Sequence, residues 1–130
     1  MKALTIRQPW ASLIAENKKL IEIRSWQTHY RGKLYIHAGK GIDKKHLNEY
    51  ETIIDIKDMP KGEIIAECII TDCVLIDKKY IDNYNKLNGH RGYLLKDNCI
   101  GYYGWVLSNI KKIKSIEITG KLSLWNFEGR

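Results

Sequence analysis

Apolar and polar positions along the 130 residues change period several times, and each change predicts an element. Residues 1–6 read as a short opening strand. Gln8-Pro9-Trp10 then predicts a helix start, because proline lacks only an N–H that a first turn leaves unpaired, and the helix covers residues 10–16. Asn17 suits the helix end, since asparagine tolerates the left-handed backbone that terminates many helices. Lys18 and Lys19 follow where cations meet the negative end of the helix dipole.

Strict alternation returns in Ile21-Glu22-Ile23-Arg24, so Ile21 and Ile23 face a core while Glu22 and Arg24 share the opposite face. The next strand, residues 32–38, sets Leu34 and Ile36 against Lys33, Tyr35 and His37, and Gly39-Lys40-Gly41 is expected to end it in a turn. Asp43 is placed to cap a helix running through Leu47, Tyr50 and Ile54, which Met59-Pro60-Lys61-Gly62 breaks. Residues 63–76 are dense in Ile, Val and Cys and too long for an average strand, which predicts a strand that bends around a small barrel. Residues 77–92 are polar and suit a helix or ordered loop over a barrel mouth. Residues 102–113 and 115–127 read as two closing strands, the second interrupted by Thr119-Gly120, with Trp105, Val106, Leu107, Leu122, Leu124 and Trp125 supplying bulk.

Composition narrows the function classes. The length and 44% apolar content suit a single domain over residues 1–130, and no apolar run is long enough to span a membrane or act as a signal core, which predicts a cytoplasmic protein. Cys68, Cys73 and Cys99 are odd in number and lack zinc-knuckle spacing, so free thiols are expected. His29, His37, His46 and His90 are dispersed, and neither a metal site nor a cofactor is predicted. Twenty-two basic against fifteen acidic residues leave a charge of +7, which favours polyanionic partners. Lys111, Lys112 and Lys114, with Lys78-Lys79 or Lys44-Lys45, can track a nucleic-acid backbone or be plain solvated surface.

Asn17, Lys19, Glu22 and Arg24 fall at the spacing Gly-x-Lys-x-x-Glu-x-Arg, with asparagine in the glycine position, and this resembles the signature of the ASCH domain family. LTIRQPWASL from Leu4, IEIRSWQTHYRGKLYIHAGK from Ile21, GYYGWVL from Gly101 and GKLSLWN from Gly120 resemble ASCH segments in the expected order, while residues 41–61 and 77–99 are poorly covered. The resemblance implies an α+β fold, a small PUA-like twisted β-barrel of about five to six strands with flanking helices. It also implies a charged cleft associated with RNA or modified nucleotides. Asparagine is the next-best residue for positive φ, so the backbone turn is expected to survive the departure.

The resulting binding set is Lys19, Glu22 and Arg24, with Trp26 or Tyr103 stacking on a base; Trp10 and Tyr30 are further aromatic candidates. Glu22 either accepts hydrogen bonds from a ligand amino group or orients the two cations. The alternative is an ion-pair network closing a barrel rim. Two enzymatic readings accompany the resemblance. Some small ASCH-type proteins are amidohydrolases acting on 4-acetylcytidine, with residues matching Lys19 and Arg24 but threonine in place of Glu22; in such an enzyme Lys19 and Glu22 would be the catalytic candidates. Ribonuclease activity would draw on Ser25, Tyr30, Tyr35 or Tyr103. A protein-interaction module would instead show a contiguous exposed apolar patch. His37 is expected to be a hydrogen-bonded structural histidine, and Trp105 and Trp125 to be core.

Overall fold

The computed structural model describes residues 1–128. Its strands are β1 (Lys2–Gln8), β2 (Ile21–Arg24), β3 (Gly32–Ile42), β4 (Glu63–Leu75), β5 (Tyr103–Glu117) and β6 (Leu124–Asn126), and its helices are α1 (Trp10–Ala15) and α2 (Lys78–Asn88). The six strands form one mixed sheet in the order β2-β5-β4-β3-β1-β6. β1 and β3 are parallel and the other pairs antiparallel. This is the α+β, PUA-like, barrel-like twisted sheet, with β2 and β6 at its two ends and no ladder joining them among the described residues.

Bending comes from the long β4–β5 ladder. Its register shifts between Ile64 and Ala66, Glu67 and Ile69, and Ile70 and Asp72. Each irregularity kinks the strand and increases its local twist, which lets a 13-residue strand curl over the core. The concave side packs Leu4, Ile6, Leu34, Ile36, Ile70 and Trp105 against Ala11 and Ile14 of α1. A second cluster joins Leu13 and Ile21 to Ile81 and Tyr84 of α2 and to Tyr50 and Tyr93 in the connections. A third covers the outer face of β1 and β3 with Trp125 and Phe127.

Several expectations change. β3 continues through Gly39-Lys40-Gly41 to Ile42, because Gln8 of β1 pairs with Ile42 and keeps the strand extended. Asp43 caps no α-helix; a single 3₁₀ turn, Leu47–Tyr50, stands there and has no side-chain cap. Two closing strands are present, but they divide later than expected: β5 runs for 15 residues, its pairing with β4 carrying past Lys114 as far as Glu117, and the second is only the three-residue β6. Leu122 supplies no bulk: it lies in the loop before β6 and is 94% exposed. Residues 77–92 take the helical option, with the Asp77 carboxylate accepting the Tyr80 N–H at 2.8 Å. The face of β3 carrying Tyr35 and His37 is not solvated, because β6 lays Trp125 and Phe127 over it.

Candidate functional site

The site begins with the way α1 ends. Gln8 starts the helix by accepting the Ser12 N–H on its side-chain oxygen. At the other end Asn17 has φ 59°, its N–H bonds the Ile14 carbonyl, and the Lys18 N–H reaches back to the Leu13 carbonyl. That pairing is a Schellman motif with asparagine in the left-handed position. It reverses the chain inward, so Lys19 enters the protein rather than the solvent. The Asn17 side-chain amide also donates to the Ile110 carbonyl at 3.3 Å, and its backbone carbonyl accepts from Arg91 at 3.0 Å.

Lys19 and Glu22 are therefore buried, at 2% and 7% exposure. Lys19 Nζ donates to the Ile21 carbonyl and to Glu22 Oε1, the latter at 3.0 Å. Glu22 Oε2 accepts from Arg24 Nε at 3.0 Å and lies 2.9 Å from its second nitrogen, which also donates to the Thr5 carbonyl at 3.0 Å. Burial pulls the Lys19 amine below its ordinary value, opposed by the attraction of Glu22. For Glu22 burial acts upward, but the charges and hydrogen bonds of Lys19 and Arg24 outweigh it and hold the carboxyl below the usual range. The carboxylate is thus fixed between two cations.

Capacity remains on both groups. An ammonium has three donors, of which two are engaged, and a carboxylate has about four acceptor positions, of which three are engaged. Lys19 and Glu22 form the floor of a pocket of about 330 Å³. Its walls are aromatic: Trp10 from the start of α1, Tyr50 from the 3₁₀ turn, and Tyr93 and Tyr102 from the connection between α2 and β5. Trp10 meets Tyr50 edge-on at 5.5 Å and Tyr93 at 6.1 Å, and the Lys19 ammonium lies 5.2 Å from the Tyr93 ring centre. Burial raises the Tyr50 hydroxyl to about 12 and pushes the Tyr93 hydroxyl well above its ordinary value, so both stay protonated. His46, Lys96 and Asn98 stand at the mouth, where exposure increases.

Of the residues expected from sequence, the structure brings Lys19 and Glu22 together on the pocket floor and puts Arg24 behind them, its fork engaged with Glu22 and Thr5. Trp26 and Tyr103 lie elsewhere. Trp26 packs edge-on against Trp105, with ring centres 4.7 Å apart, and Tyr103 packs against the concave core. Tyr30 does not line the pocket and donates its hydroxyl hydrogen to the Lys33 carbonyl of β3. Lys111, Lys112 and Lys114 lie along the part of β5 beyond its pairing with β2, and Lys112 pairs with Glu16. Trp105 and Trp125 are core. The sequence does not single out His46, Tyr93 or Tyr102 as site residues; His46 falls at the start of the helix expected after Asp43, Tyr102 at the start of a strand and Tyr93 in a segment without periodicity, and only their aromatic character hints at them. Cys68, Cys73 and Cys99 are free thiols, and Cys99 borders the pocket.

Among the described residues no helix is long and apolar enough to cross a membrane. Comparison with known proteins gives the same architecture. Crystal structures of an ASCH protein from Zymomonas mobilis, in its unsubstituted form and as a tyrosine-to-phenylalanine mutant, superpose with a TM-score of 0.57 at 14% identity. Each covers 89% of this chain, and the chain covers 72% and 74% of them respectively. At that identity the likeness is one of fold. Activating signal cointegrator 1 from Mus musculus and from Homo sapiens are 32% and 31% identical over matches that span 55% of this chain but only 14% of those proteins. The ASCH domain pattern matches residues 4–117, from β1 to the end of β5, and the chain belongs to the ASCH domain family.

Proposed function

We propose that this ASCH domain binds RNA or a modified nucleoside, with one base inserted in the aromatic pocket and its polar edge read by Lys19 and Glu22. The observation that carries the reading is a free donor on Lys19 beside a free acceptor position on Glu22, at the floor of a pocket walled by Trp10, Tyr50, Tyr93 and Tyr102. A base edge offers the complementary acceptor and donor side by side, and its faces stack on aromatic rings, a contact worth about 1–3 kcal/mol per base. The general association of the family with RNA supports the same reading. Arg24 serves it indirectly, by holding the Glu22 carboxylate charged and in place.

A thermal-shift screen of nucleosides and short single-stranded RNAs tests this, since a ligand of the native state raises Tm by an amount set by its affinity. Binding is expected in the wild type and is expected to fall about tenfold or more in Lys19→Met, which keeps the stem and leaves the Glu22–Arg24 pair intact. No shift with any nucleoside or RNA would remove the proposal.

Amide hydrolysis on a modified nucleoside is the second reading, favoured by the depressed amine of Lys19. Glu22, which favours the charged amine, opposes it. Incubation with 4-acetylcytidine separates the two: binding without deacetylation leaves a recognition site alone.

A further inference from the structure

Residues 41–61, one of the two stretches where the resemblance to the family is poor, place an imidazole at the pocket mouth. His46 Nδ1 lies 2.9 Å from Asp43 Oδ2, and the same oxygen accepts the Trp10 indole N–H at 3.3 Å. Asp43 is anchored in turn, its backbone N–H donating to the Gln8 carbonyl at 2.7 Å. Its carboxyl is pushed up by burial, but the hydrogen bonds it accepts, from His46 first and then Trp10, outweigh this and hold it below its ordinary value. An ionised carboxylate only accepts, so the Nδ1 proton belongs to His46, and in the neutral tautomer this geometry selects, Nε2 carries the lone pair. Among the described residues Nε2 takes no hydrogen bond, and the His46 side chain remains 31% exposed.

The pocket has a direction. Lys19 and Glu22 are buried at its floor with Tyr50, Tyr93 and Cys99 buried around them, whereas Lys96 and Asn98 are exposed at its mouth beside His46. A base seated on the floor brings its sugar to the mouth. An acceptor there cannot bond a phosphate, whose ionised oxygens also accept; it needs an O–H. Within an RNA strand the 3′ and 5′ oxygens are esterified, and the 2′-hydroxyl is the free O–H of each sugar.

We propose that His46, oriented by Asp43, accepts a hydrogen bond from the ribose 2′-hydroxyl of the inserted nucleotide and so makes the pocket selective for RNA over DNA. The inference rests on the base-binding reading and adds the sugar to it. His46 is the recognition residue and Asp43 a positioning residue: asparagine at 43 can donate to Nδ1, shift the proton to Nε2 and turn the acceptor into a donor.

The test is calorimetric titration of wild type, His46→Ala and Asp43→Asn with a mixed-sequence RNA octamer, the DNA octamer of the same bases, and the 2′-O-methyl octamer. The wild type is expected to bind RNA roughly fivefold more tightly than either analogue, the size of one hydrogen bond. His46→Ala is expected to lower RNA affinity to the DNA value while DNA affinity stays unchanged, and Asp43→Asn to reduce the ratio. A merely structural role would weaken all three oligonucleotides together; an RNA to DNA ratio unchanged in His46→Ala overturns this inference and leaves the base pocket standing. Failure of the wild type to bind any octamer overturns both.

Discussion

Two buried polar clusters sit in neighbouring parts of this sheet, and they differ in what they leave unbonded. In one, Thr5 and His37 meet beneath Trp125. The Trp125 indole donates to Thr5 Oγ1 at 3.0 Å, Thr5 lies 3.1 Å from His37 Nδ1, and His37 Nε2 lies 2.7 Å from the Ile118 carbonyl. Since a carbonyl only accepts, Nε2 carries the proton and Nδ1 takes the threonine hydrogen, so every group is matched. Gly120 closes over the ring, and a Cβ there would come within 2.6 Å of His37 Cε1. The other cluster, Lys19, Glu22 and Arg24, is charged and keeps a donor and an acceptor in reserve beside a pocket. Burial of a polar group therefore does not mark a site by itself. Unused hydrogen-bonding capacity next to accessible space does.

The largest expected effect comes from removing the anion that holds the charged cluster together. Glu22→Ala leaves Lys19 and Arg24 facing each other without a counter-charge, and breaking a buried pair in this way costs about 3–5 kcal/mol. Urea unfolding measures it. A loss below about 1 kcal/mol would mean that water already screens the pair, and the contrast with the neutral cluster would fail. Acid works on the same group. The folded Glu22 carboxyl lies below its ordinary value of 4.5, so its contribution is complete above that value and is lost as pH falls through the folded pKa. Lys19 has a slope of the same sign in the alkaline range: with its amine lowered from 10.5, the folded state gains relative stability as pH rises from the folded pKa towards that value. Comparing Glu22→Gln with wild type should therefore show a smaller acid loss in the variant.

Thr5→Val ranks next. It keeps the shape of the side chain but leaves the Trp125 N–H and His37 Nδ1 without their shared partner, for a loss of about 1–3 kcal/mol by the same measurement. Ligand affinity should be unchanged at temperatures where the variant is folded. A Thr5→Val protein that folds but no longer binds would show that the two clusters are coupled through the Thr5 carbonyl on Arg24.

Legibility in the sequence followed the same division. Alternation in Ile21-Glu22-Ile23-Arg24 correctly placed a glutamate and an arginine on one face, and Asn17 announced its own backbone conformation. Alternation reports which residues share a face but not what later covers that face. Tyr35 and His37 looked solvated because Trp125 and Phe127, which bury them, arrive about ninety residues later on a three-residue strand and the residue after it. The pocket walls were hidden for a related reason: Tyr50 had the spacing of a helix face, Tyr102 read as a strand start and Tyr93 fell in no period, and their convergence depends on α2 and the 3₁₀ turn docking against β2. The floor of the site was local, whereas its walls are tertiary.

The smallest effect tests whether that local part is as self-contained as its legibility suggests. At φ 59° an alanine at position 17 is strained by about 1 kcal/mol, while asparagine tolerates the conformation and glycine adopts it freely. Asn17→Ala is therefore expected to lower stability by about that amount. Asn17→Gly should come out near neutral, since the relieved backbone offsets the lost bond to the Ile110 carbonyl and the greater freedom of the unfolded chain. Thermal melts of the two variants measure the difference. If glycine is instead the worse of the two, the side-chain bond to Ile110 rather than the left-handed turn is what directs Lys19 inward, and the site depends on the β5 strand as well as on the end of α1.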